Sequence, residues 1–74
     1  MLLVDDVARA LADPLRRQIL LMLRGRDATA GAIAACFPVS RPAVSRHLRV
    51  LREASLVADA LEGRERVYRL ELGA

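Results

Sequence analysis

A chain of 74 residues holds one domain, residues 1–74, because two cores will not fit in that length. Its net charge is +3 with every cation an arginine, and its apolar residues (54%) include few aromatics (3%). The core must therefore be aliphatic, which suits helices more than a β-sandwich. A single core of this size is marginal, so a partner subunit is expected. No apolar run approaches the roughly 20 residues that span a bilayer. Met1-Leu2-Leu3-Val4 is too short for a signal-peptide core, and the lone Cys36 excludes an intramolecular disulfide. A cytoplasmic, nucleoid-associated protein without a membrane partner is expected.

In chain order, Asp5 to Leu11 predicts a short first helix, with Val7 and Leu11 spaced i,i+4 toward the core. Asp13-Pro14 then supplies an N-cap and a first-turn proline for a second helix. That helix places Leu15, Ile19, Leu20 and Leu23 on one stripe and ends at Gly25. Arg16 and Arg17 fall on its other side and are expected to solvate it. Thr29 caps a third, short helix through Ile33, Ala34 and Cys36, which stops before Pro38.

Ser40 caps the most informative helix. At about 100° per residue, Ala43, Val44, His47, Leu48, Val50, Leu51 and Ala54 take one side. Arg41, Pro42, Ser45, Arg46, Arg49, Arg52 and Glu53 fill the remaining arc of roughly 140°. From Val39 to Arg52 there are four arginines and no acid, whereas a solvated helix face mixes charges. One face is made for a core and the other for an anion.

Leu56 to Leu61 and Glu65 to Leu72 predict two strands joined by Glu62-Gly63-Arg64, with glycine supplying the positive φ of a tight turn. Tyr68, Leu70 and Leu72 alternate with Val67, Arg69 and Glu71, and Arg64 and Arg66 lie at the hairpin tip. The fold class expected is mainly α (α+β): a winged helix-turn-helix of about four helices followed by a two-stranded β-hairpin wing. A helix of this kind fits the DNA major groove, about 12 Å wide, where arginine reads guanine O6 and N7 with two bonds. Double-stranded DNA is therefore the expected partner. Its candidate contacts are Ser40, Arg41, Pro42, Ser45, Arg46, Arg49, Arg64 and Arg66. Duplex RNA has too narrow a major groove, and Phe37 and Tyr68 are too few for stacking single strands.

The string Ala10-Leu11-Ala12-Asp13-Pro14-Leu15-Arg16-Arg17-Gln18-Ile19-Leu20 resembles the opening motif of the ArsR/SmtB family of winged-helix repressors. Residues 40–54 resemble that family's recognition helix, and Gly63 to Leu70 its wing. The resemblance implies a dimeric transcriptional repressor, released from a palindromic operator by a signal. Metal-sensing members carry a Cys-x-Cys before the recognition helix; those positions are Thr29 and Gly31 here, so no metal and no cofactor are expected. The family's last helix, with its second metal site and half of its dimer surface, would lie beyond Ala74. Pairing is accordingly expected through the first helix, where Leu2, Leu3 and Val4 add apolar side chains. Where the family favours glycine after the recognition helix this chain has Ser55, which costs about 1 kcal/mol if its backbone is left-handed.

For the remaining residues the ordinary readings prevail. Cys36 is expected as a small buried hydrophobe and His47 as a packed, hydrogen-bonded core residue, while Arg52 suits a surface role or a phosphate equally. One histidine, one cysteine and no glycine-rich phosphate loop leave nothing for an enzyme. The competing reading is a winged helix that docks an acidic protein without sequence-specific DNA binding.

Overall fold

The computed structural model describes the backbone of residues 2–71 and the side chains of residues 5–71. Four helices precede a hairpin: α1 (Leu2–Ala12), α2 (Pro14–Gly25), α3 (Ala30–Ala35) and α4 (Arg41–Glu53), with strands β1 (Ala28–Thr29), β2 (Val57–Glu62) and β3 (Glu65–Leu70). The fold is a winged helix-turn-helix, mainly α with a β wing, as expected. Helix α1 starts earlier than the expected Asp5. The side chains of Leu2, Leu3 and Val4, and Leu72 altogether, lie outside the described residues.

The core is aliphatic. Ile19 from α2, Ile33 from α3, and Val44, Leu48 and Leu51 from α4 are fully buried, each worth about 1.5–3 kcal/mol over exposure. No polar or charged residue is buried among the described residues, so the centre carries no desolvation cost to offset. Helix α1 contributes Val7 and Ala10, not Val7 and Leu11: Ala10 is inaccessible, whereas Leu11 is 39% exposed.

The sheet has three strands in the order β1-β3-β2, not two. Strand β1 pairs antiparallel with β3 through Ala28↔Tyr68 and Thr29↔Val67, tying the wing to the link between α2 and α3. Thr29 has a second task, since its hydroxyl accepts the Ala32 N–H at 3.1 Å and caps α3. The hairpin loop is Gly63-Arg64 alone, with Gly63 at φ 67° and Glu62 facing Glu65. That is one residue shorter than expected. The shorter loop shifts the register, so Val57, Asp59 and Leu61 share a face with Leu70, Tyr68 and Arg66. Tyr68 and Leu70 pack against the core from that face. Among the described residues no helix is long and apolar enough to cross a membrane.

Candidate nucleic-acid interface

Helix α4 begins where Ser40 Oγ accepts the Ala43 N–H at 3.2 Å, with Pro42 in the first turn. Its inner face is the one the wheel assigns: Val44, Leu48, Leu51 and Ala54 are buried, and Ala43, His47 and Val50 half-buried. Ser40, Arg41, Pro42, Ser45, Arg46, Arg49, Arg52 and Glu53 are all exposed. Arg46 and Arg49 make no ion pair among the described residues, so their charge is free for an external anion. Arg41 lies at the α3 end of this face, where a Cβ added at Gly31 would stand 3.8 Å from its guanidinium carbon.

The helix ends in a Schellman turn. Leu56 N–H donates to Leu51 C=O at 3.0 Å and Ser55 N–H to Arg52 C=O at 2.9 Å. Ser55 adopts φ 62°, the left-handed conformation that glycine takes without strain. This turn ends α4 and so sets where the wing begins.

Between α4 and the wing lies a polar cleft of about 290 Å³, lined by Ser45, Leu48, Arg49, Arg52, Arg66 and Tyr68. Arg66 was expected at the hairpin tip. It instead folds back and donates Nη1 to Asp59 Oδ2 at 2.5 Å, while Arg52 Nη1 stands 3.6 Å from Asp59 Oδ1. Only Arg64 is in the turn itself, exposed and without an ion pair among the described residues. The Asp59 side chain is 9% exposed against 48% for each arginine. The hydrogen bond from Arg66 holds its carboxyl below the ordinary carboxylate range, outweighing burial, which acts the other way. Sequence reading missed Asp59, because its diagonal contact with Arg66 depends on the hairpin register.

The arginines of α2 behave differently from their expected role as solvating side chains. Arg16 is half-buried and donates Nε to Ala10 C=O at 2.9 Å and Nη2 to Arg9 C=O at 3.0 Å. Arg17 Nη1 reaches Leu11 C=O at 2.6 Å. These are the carbonyls that the end of α1 leaves without helical partners, at the negative pole of its dipole. Asp13 completes the joint by accepting the Arg16 N–H at 3.0 Å, the leading cause of its lowered pKa. Arg16 Nη1 also lies 3.1 Å from His47 Nδ1 on α4. A guanidinium cannot accept a hydrogen bond, so Nδ1 must, which places the imidazole proton on Nε2. His47 is thus packed and bonded as expected.

Cys36 is not the buried hydrophobe expected. It is exposed at the end of α3, with its Sγ 4.0 Å from Arg26 Nη2. Helix α3 stops at Ala35, and Phe37 takes the inward position. The Thr29 and Gly31 positions do not fit a soft metal: neither has a thiolate, and the Thr29 oxygen is engaged as a cap. Among the described residues no three metal-ligating side chains come together.

A helix-turn-helix domain model matches residues 11–60, from the last residues of α1 into β2. The transcriptional repressor SdpR of Bacillus subtilis (strain 168) is 42% identical over 67 residues, covering 90% of this chain and 74% of that protein. The transcriptional regulator Rv2034 of Mycobacterium tuberculosis is 48% identical over 67 residues, covering 90% of this chain and 63% of that protein. The chain thus spans roughly two thirds of these relatives' length. Among solved structures, a homodimeric winged helix-turn-helix DNA-binding domain from Mycobacterium bovis, a possible ArsR-family transcriptional regulator, superposes with a TM-score of 0.87. It is 32% identical, and the match covers 92% of this chain and 63% of that one. On these grounds the chain belongs to the ArsR/SmtB family of winged helix-turn-helix transcriptional regulators, which bind DNA and are not enzymes.

Proposed function

We propose that this protein is a transcriptional repressor that binds a specific duplex sequence through the exposed face of α4. The observation that carries this reading is the undivided split of that helix, with all seven wheel-assigned inner residues buried or half-buried and Arg41, Ser45, Arg46 and Arg49 exposed on the other side. Arg41, in the first turn, suits a base edge. Arg46 and Arg49, deeper in the helix, suit phosphates, each neutralised phosphate releasing counterions. Arg64 reaches a flanking phosphate from the wing, and Arg66 does so from the cleft.

The protein works as a homodimer in the cytoplasm on an inverted-repeat operator, with recognition helices about 34 Å apart. The homodimeric neighbour supports this assembly, as does an apolar groove lined by Leu11, Leu20, Leu21 and Leu70 together with Arg17 and Arg24, in which Leu21 is 56% exposed. The signal that releases it is not a metal held at Thr29 and Gly31.

Selection of bound duplexes from a random pool, with sedimentation of the complex, tests the whole reading. An inverted repeat is expected from the parent, and Arg41→Ala should relax preference at one position per half-site by about 1–3 kcal/mol. Recovery of no preferred sequence would instead favour a module that docks an acidic protein.

A further inference from the structure

We propose that the cleft between α4 and the wing seats one backbone phosphate of the DNA, and that Asp59 is the positioning residue that sets Arg52 and Arg66 around it. This rests on the DNA-binding reading above and goes further by naming a ligand group and the residue that prepares its seat. Arg49, Arg52 and Arg66 all line the cleft, and Arg52 and Arg66 share the single carboxylate of Asp59, so two positive charges remain uncompensated. Each Asp59 oxygen faces one Nη1 only. Since a guanidinium carries five N–H donors, most donors of both arginines stay unclaimed by Asp59. A phosphodiester matches what remains: one negative charge, acceptors only, and the geometry for paired N–H bonds. Ser45, one turn before Arg49 on the same face, adds a hydroxyl at the rim.

Asp59 cannot serve as a rival anion that swings aside. Its side chain is nine-tenths buried beneath arginines that are half exposed, so the carboxylate is the fixed end of each pair. Stability alone does not account for two arginines on one carboxylate, because both guanidinium groups are half exposed and solvent screens their side of each pair. The bridge links β2 to β3 and to α4, and it holds the wing's inner face at a set distance from the recognition helix.

The test uses a duplex selected by the protein from a random pool, synthesised with one phosphate at a time replaced by a neutral methylphosphonate. One position per half-site should weaken the parent roughly fivefold to tenfold and leave Arg66→Ala, already weaker by a similar factor, unaffected. Asp59→Asn should weaken binding of the unmodified duplex about threefold to tenfold, with Asp59→Glu recovering part of the loss. Thermal melting of each variant separates this from unfolding. If every methylphosphonate effect is additive with Arg66→Ala, while the parent binds well, the seat is overturned and the DNA reading stands. Tighter binding by Asp59→Asn would show the carboxylate to be a competitor and overturn its positioning role. A parent that binds no duplex overturns both readings together.

Discussion

Arginine serves opposite ends in two regions of this small protein. At the joint between α1 and α2, Arg16 and Arg17 spend their donors on the carbonyls of Arg9, Ala10 and Leu11, and Arg16 also holds His47 on α4. On the outer face of α4, Arg46 and Arg49 meet no acid at all among the described residues. The same side chain is structural where it finds unpaired carbonyls and, on the proposed reading, left free for DNA where it finds none. The wing lies between these cases, because Arg66 and Arg52 share Asp59 and yet remain half exposed.

The sharpest way to break this comparison is to remove one arginine from each region. Arg16→Ala should destabilise the fold by about 3 kcal/mol, since charged donors to partly buried acceptors are worth roughly 1.5–3 kcal/mol each before solvent screening reduces them. For a domain of this length that lowers Tm by about 12–24 °C, read by thermal melting. The salt dependence of DNA binding should stay unchanged at a temperature where the variant is folded. A change in slope without a change in Tm would move Arg16 to the interface and erase the distinction.

The reverse pattern is expected on α4. Arg46→Ala and Arg49→Ala should each leave stability within about 0.5 kcal/mol of the parent, as exposed substitutions do. Each should lower the slope of log affinity against log salt by about one unit and weaken binding to all duplexes alike. Fluorescence anisotropy at several salt concentrations measures this. If all affinity loss is confined to one sequence, the side chain reads a base and not a phosphate.

Ser55 supplies a control that belongs to neither region. Its left-handed φ of 62° strains a residue with a Cβ, so Ser55→Gly should raise stability by about 0.5–1 kcal/mol in chemical denaturation. The Schellman bonds from Ser55 and Leu56 should survive, leaving the wing's start and the DNA affinity as they were. Lost affinity with gained stability would mean that the serine side chain itself helps set the wing.

What was legible in the sequence follows from the range of each interaction. The face of α4 was readable because an amphipathic helix repeats its pattern over several turns, and its inner and outer residues fall as the wheel places them. The caps at Asp13, Thr29 and Ser40 were readable for the same reason, since each acts within three residues. Strand β1 was not, because two residues carry no alternation and their partner is Tyr68-Val67, far along the chain. The role of Arg16 required knowing that α1 and α2 fold back on one another. That of Asp59 required the hairpin register, which a loop misjudged by one residue inverts. Cys36 was misplaced because a short helix gives too few turns to fix its inner side.

The finest discrimination between the two regions lies in their acids, Asp13 at the joint and Asp59 under the wing. Both carboxyls sit below the ordinary value of 3.8, Asp13 chiefly through the Arg16 backbone N–H and Asp59 chiefly through the Arg66 side chain. A lowered folded pKa means that the unfolded chain takes up protons first as pH falls. The stabilisation from each is therefore complete above that ordinary value and is lost as pH drops through the folded one. The two losses should respond differently to salt. A backbone N–H is a dipole in direct contact with Asp13, whereas Arg66 is a half-exposed charge whose attraction added ions screen. Denaturant titrations between about pH 5 and pH 2 should show stability falling with acid in the parent. Asp59→Asn should flatten part of that fall at low salt and make little difference at high salt. Asp13→Asn, which keeps an N-capping oxygen, should flatten its own part with a weaker dependence on salt, because the backbone N–H is the leading cause there. If the two variants share one salt dependence, the joint and the wing are held by the same kind of force.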